Sequence, residues 1–155
     1  DGETAMTQCL PVDILVVDDN DSQRASIVLA LEKSIPNVVV IAVENGIEAL
    51  DFLLSRGAWT DRVGEDPPRL IMLDISLPGA SGIHLLGQIR SLAPNDTLAL
   101  TPVVMFTDSR ARGDITESYR HGANSYITKP LSVPDFQAVV ESVGRYWINQ
   151  NQVCA

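Results

Sequence analysis

Short apolar runs rich in Val and Ile recur along the chain at Ile14 to Val17, Val38 to Val43, Leu70 to Leu73 and Val103 to Phe106, with a weaker run at Ser125 to Ile127. They are nearly continuous rather than alternating, the pattern of strands buried on both faces. Helical periodicity fills the stretches between them. Ala25, Val28, Leu31 and Ile35 form one predicted core stripe, Ile47, Leu50 and Leu54 a second, and Ile83, Leu86, Ile89 and Leu92 a third. The last helix is the best marked. Ser132 and Asp135 have capping-box spacing, Pro134 suits a first turn, and Phe136, Val139, Val140, Val143 and Trp147 follow at helical spacing, the Trp read as core packing. Between Ala111 and His121 only Ile115 and Tyr119 pair at i, i+4, which predicts a weakly anchored, partly exposed helix. Gly57 to Pro68, Pro78 to Gly82 and Ala93 to Pro102 read as loops. Strands alternating with helices predict an α/β fold built on a parallel sheet.

At 155 residues and 45% apolar composition, one domain accommodates this pattern without disulfides or metal. Eleven basic against twenty acidic residues leave a net charge of −9, spread along the chain as on a soluble surface. The acid excess argues against a nucleic-acid partner, whose phosphates need clustered Lys and Arg. Cys9 and Cys154 stand near opposite ends with no CxxC pair and no His at ligand spacing, so a zinc motif is absent. Free thiols in a reducing cytosol are expected, with a terminus-to-terminus disulfide the less favoured alternative. No apolar run reaches the ~18 residues of a membrane span, and the polar start lacks a signal core, so no membrane partner and a cytoplasmic location are expected. Residues 1–11 are set apart as an extension, 12–148 as the domain and 149–155 as a tail.

Ligands of open parallel sheets bind beyond the carboxyl ends of the strands. Asp18 and Asp19 follow the first run, Asp74 the third, Thr107 the fourth, and Lys129 with Pro130 the fifth. Parallel strands would therefore bring three carboxylates, a hydroxyl and an ammonium to one edge. Clustered carboxylates repel unless their pKa values rise or a cation binds. Oxygen-only ligands favour Mg²⁺ or Mn²⁺ over zinc, and Mg²⁺ pairs readily with phosphate. That points to phosphoryl chemistry, in which a carboxylate can itself be the nucleophile.

Four segments together resemble the receiver domain of two-component response regulators: Ile14 to Asn20, Leu70 to Gly79, Phe106-Thr107, and Gly122 to Pro130. The resemblance spans about Val12 to Ile148. It implies a flavodoxin-like (βα)5 sandwich of strand order 2-1-3-4-5, an order also given for a member of this family in general accounts of doubly wound folds. It implies Asp74 as phosphoacceptor, and Mg²⁺ or Mn²⁺ held by Asp18, Asp19, Asp74 and the Ser76 carbonyl. Thr107 would be the switch hydroxyl, Lys129 the phosphoryl-binding cation and Tyr126 the switch aromatic. The backbone of Ser76 and Asp108 would contact the phosphoryl group, and the Lys129–Pro130 bond would be cis. One departure stands out: the residue after the switch Thr is usually small in the family, and Asp108 brings a charge that can repel an incoming phosphoryl group.

The resemblance further implies a sensor histidine kinase as partner, self-catalysed phosphorylation and dephosphorylation of the aspartate, and a switching surface on the fourth helix, fifth strand and fifth helix. With no effector domain expected after Trp147, output falls to protein contact or to a phosphate-sink role. The segment Gly57 to Pro68 and the ending Tyr146-Trp147-Ile148 resemble single-domain receivers that partner phytochrome kinases, a subgroup that often forms homodimers through the switching surface. Two rivals stand beside this reading. A haloacid-dehalogenase-type phosphatase expects a second Asp where Ser76 stands, and a receiver-like module working without phosphorylation typically loses the Lys, the acidic pair or the acceptor.

Overall fold

The computed structural model describes residues 11–92 and 96–154. Its strands are β1 (Ile14–Val17), β2 (Val40–Val43), β3 (Leu70–Leu73), β4 (Val103–Thr107) and β5 (Ser125–Thr128). All neighbours pair in parallel, in the order β2-β1-β3-β4-β5, as the resemblance implies. Burial sorts the strands by this order. The central β1, β3 and β4 are buried throughout, which explains their unbroken apolar runs, whereas the edge strands β2 and β5 are mostly half-buried. β2 starts two residues later than its apolar run. Asp13 accepts from the Val39 backbone N–H through its carboxylate and donates its own N–H to the Val39 carbonyl, pinning the entry to the strand.

The five main helices are α1 (Asp21–Ser34), α2 (Gly46–Leu53), α3 (Gly82–Arg90), α4 (Arg112–Arg120) and α5 (Val133–Gly144). Alternate strand residues feed two cores. Leu15, Val17, Ile71, Leu73 and Met105 meet α2 and α3; Ile14, Val16, Met72, Val104 and Phe106 meet α1 and α5. Each such Leu, Ile or Phe, fully buried, contributes about 1.5–3 kcal/mol.

Two helix faces differ from their predicted stripes. α1 turns Ile27, Ala30 and Leu31 inward, with Ile35 at its end, and leaves Ala25 exposed and Val28 half-buried. Residues 27 to 31 are all apolar, so spacing alone selects no face. The face that is buried packs against Gly144 of α5, where a Cβ would lie 2.6 Å from Leu31 Cδ2 and 2.8 Å from Ile35 Cδ1 and those side chains would have to shift. α2 buries Ala49 and Phe52, while Ile47 and Leu54 are exposed. The Asn45 side chain accepts from the Glu48 N–H, fixing where the helix begins, and Phe52 fills the core edge-on to Trp59.

Other helices follow expectation. α3 buries Leu86 and Ile89 together with Leu85, and α5 is capped by Ser132, which accepts from the Asp135 N–H. α4 buries only Ser118 and exposes Tyr119, as its weak stripe predicts. Two predicted loops contain 3₁₀ turns, Gly57–Arg62 and Thr97–Leu100, and a π-helical turn, Arg145–Gln150, extends α5. Trp147 packs partly buried against the α1/α5 core. Cys154 is exposed, while Cys9 lies outside the described residues. Among the described residues no helix is long and apolar enough to cross a membrane.

Candidate phosphoryl-transfer site

The carboxyl ends of β1, β3, β4 and β5 each deliver one chemical group, because parallel register sets those ends side by side. Val17 pairs with Leu73 and Thr107 with Thr128, so Asp18, Asp74, Thr107 and Lys129 gather at one edge. All four are buried to 5% exposure or less. Asp19 is exposed, and one oxygen from each of Asp18, Asp19 and Asp74 lies within 4.8 Å of the others.

Lys129 occupies the centre. Its ammonium donates to Asp18 Oδ2 at 2.7 Å, to Gln23 Oε1 at 2.7 Å and to Asp74 Oδ2 at 2.9 Å. Burial works against its charge, but the hydrogen bonds and charges of Asp18 and Asp74 outweigh it and raise the pKa above the ordinary lysine value. The ammonium therefore stays protonated at neutral pH. Burial also pushes Asp18 above the usual carboxylate range, despite the opposing pull of Lys129 and the Asn20 backbone N–H. One ammonium does not neutralise three carboxylates, which leaves the site poised for a cation.

The outer oxygens are placed by backbone. Asp18 Oδ1 accepts from the Asn20 N–H at 2.9 Å, and Asp74 Oδ1 from the Ser76 N–H at 3.3 Å. Gly82 opens α3 directly against Asp74, and any side chain there would collide with the Asp74 carbonyl oxygen. The donor set fits a hard divalent ion. Oxygens sharing one Mg²⁺ lie at most about 4.2 Å apart, so small side-chain adjustments bring the three carboxylates into range.

Thr107 Oγ1 accepts a 3.5 Å contact from the Ser109 N–H, at the outer limit of hydrogen bonding. The Tyr126 hydroxyl donates to the Ser109 carbonyl at 2.8 Å, tying β5 to the loop that follows Thr107. Burial, with the charges of Asp114 and Asp74, raises the Tyr126 pKa and keeps that donor protonated. Asp108 is exposed. The Lys129–Pro130 bond departs from the cis expectation: among the described residues no peptide bond is cis, and trans is the form that X–Pro amides favour by about 0.5–1 kcal/mol.

Two contributors escaped the sequence reading. Gly82 carries no signal beyond its place at a helix start. Gln23 has one, since Asn20 and Gln23 have the spacing of a capping box.

Known proteins share this fold. The family profile described as "Response regulator receiver domain" matches residues 14–141. The probable methanogenesis regulatory protein FilR2 of Methanothrix harundinacea is 34% identical over 143 residues, covering 92% of this chain and 87% of FilR2. Response regulator Rcp1 of Synechocystis is 29% identical over 138 residues, covering 89% of this chain and 90% of Rcp1. Its Mn²⁺-bound crystal structure superposes with a TM-score of 0.82 over 94% of this chain and all of that one. The phosphorylated cyanobacterial phytochrome response regulator RcpA is 30% identical, with a TM-score of 0.83 and the same coverage. The chain belongs to the response regulator receiver domain family.

Proposed function

We propose that this receiver accepts a phosphoryl group on Asp74, from a phosphohistidine of a sensor histidine kinase, in a reaction that depends on Mg²⁺ or Mn²⁺. The observation that carries the reading is the buried Lys129 ammonium, 2.9 Å from Asp74 Oδ2 beside the acidic pair. An Asp74 oxygen forms its bond to phosphorus as the phosphorus–nitrogen bond of the donor breaks, the electron pair leaving with the imidazole. Asp18, Asp19, Asp74 and the Ser76 carbonyl would hold the metal, which when bound neutralises phosphoryl charge. Lys129 contributes a fixed positive charge from the other side.

Signalling is proposed to run through Thr107 and Tyr126, with a phosphoryl group drawing the Thr107 hydroxyl and rearranging the Tyr126–Ser109 bond. That change would bias the face formed by α4, β5 and α5. The same face is the proposed homodimer surface. Similarity to RcpA supports a phytochrome-type kinase as the donor.

The test is labelling by acetyl phosphate with and without Mg²⁺, read by intact mass. The native chain is expected to gain one phosphoryl group only with the metal, and Asp74→Asn to gain none. Undiminished labelling of Asp74→Asn removes the acceptor assignment. Absence of labelling in the native chain favours an interaction module that works without phosphorylation.

A further inference from the structure

The Lys129 ammonium has three N–H donors, and all three are engaged. Two go to carboxylates. The third goes to the amide oxygen of Gln23, at a distance as short as the bond to Asp18. The amide must present oxygen rather than nitrogen here, because an ammonium offers no acceptor.

Local geometry releases Gln23 for this contact. In a capping box the N3 Gln turns back to the N-cap backbone N–H. The first half of that motif is present, since Asn20 Oδ1 accepts from the Gln23 N–H at 2.9 Å. The second half is not formed, because Asp18 Oδ1 takes the Asn20 N–H at 2.9 Å. The Gln23 side chain is thus anchored at its backbone by the first turn of α1 and free to reach across to β5. Asp18 therefore acts twice: its Oδ2 accepts from Lys129, and its Oδ1 occupies the Asn20 N–H that a capping-box Gln23 would take.

We propose that Gln23 is a positioning residue for phosphoryl transfer, deepening the function proposed above and resting on it. When an Asp74 oxygen bonds to phosphorus and the donor's leaving group departs with its electron pair, the carboxylate loses its charge. The ammonium proton held by Asp74 is then free to turn to a phosphoryl oxygen. Asp18 and Gln23 keep the nitrogen in place while this third bond changes partner. Two fixed acceptors define the direction of the remaining N–H; one leaves the ammonium free to swing.

The experiment compares Gln23→Met, which keeps the length and removes the acceptor, with Gln23→Glu, which restores an acceptor. Labelling by acetyl phosphate transfers the phosphoryl group to Asp74 and releases acetate. At saturating acetyl phosphate and Mg²⁺, Gln23→Met is expected to label about tenfold more slowly, with Mg²⁺ affinity by calorimetry unchanged. A second readout is independent of labelling. The ¹⁵N signal of the Lys129 ammonium should be protected from proton exchange in the native chain, lose that protection in Gln23→Met, and regain it in Gln23→Glu. A native chain that labels normally, beside a Gln23→Met chain of equal saturated rate and equal ammonium protection, overturns the role of Gln23 alone. A native chain that fails to label overturns the phosphoacceptor reading and the role of Gln23 with it.

Discussion

Lys129 and Arg90 stand at opposite ends of β4 and β5, and they are held by opposite chemistry. Lys129 follows the carboxyl end of β5 and faces two buried carboxylates. Arg90 ends α3 near the amino ends of the same strands. Its guanidinium donates to the carbonyls of Ala99, Thr101 and Gly122 and to the Asn124 side-chain oxygen, at 2.7–3.0 Å. Asn124 in turn accepts from the Val103 N–H, so one side chain stitches α3, β4 and the entry to β5 together. Burial lowers the Arg90 pKa, yet a guanidinium remains charged at any relevant pH. A cation satisfied by neutral oxygens has nothing to exchange. Lys129 belongs to a set whose charges do not cancel, and that residual negative charge is what a divalent cation would offset. One end of the sheet is closed by its polar contacts, and the other is left chemically open.

Exchanging each cation for a similar-sized apolar side chain should separate the two ends most widely. Lys129→Met is expected to slow acetyl phosphate labelling by about a hundredfold or more, because it removes the fixed charge beside the proposed acceptor Asp74. Arg90→Met should label within about twofold of the native rate while losing about 2 kcal/mol of stability to urea, from carbonyls left without donors. A large labelling defect in Arg90→Met would erase the contrast.

Charge imbalance at the open end predicts a smaller effect of the opposite sign. Asp19 is exposed and lies outside the Lys129 bonds, so Asp19→Asn relieves repulsion without unpairing the ammonium. The metal-free chain should gain about 0.5–1 kcal/mol in urea unfolding and lose most of its stabilisation by Mg²⁺. A metal-free stability equal to the native value would mean that Lys129 already cancels the repulsion.

The smallest effect concerns Asp108. Because it is exposed, Asp108→Ala should speed labelling by no more than about twofold, and the difference should shrink at high salt. A slower variant rate, or one unchanged at low salt, counts against repulsion of the phosphoryl group by this side chain.

The central strands and the residues that follow them were legible because burial on both faces writes itself as unbroken Val and Ile, and because polar groups at strand ends stand out against such runs. Helix faces were less legible. α1 and α2 carry apolar residues on more than one side; the face α1 buries packs against Gly144, and that of α2 follows the Asn45 cap and the bulk of Phe52. Gln23 was marked locally only by its capping-box spacing to Asn20, and Arg90 by nothing local, since the Lys129 partner of the one and the Gly122 partner of the other lie far along the chain.

Composition and pattern by themselves therefore determined the α/β class, the central strands and the five groups Asp18, Asp19, Asp74, Thr107 and Lys129, because strand periodicity and strand-end chemistry are local properties. Only the tertiary structure decided which helix faces meet the sheet, that the Lys129 ammonium rests on Gln23 as well as on two carboxylates, and that Arg90 closes the far end. Those choices depend on contacts between distant segments, where the available partners, rather than spacing, select the geometry.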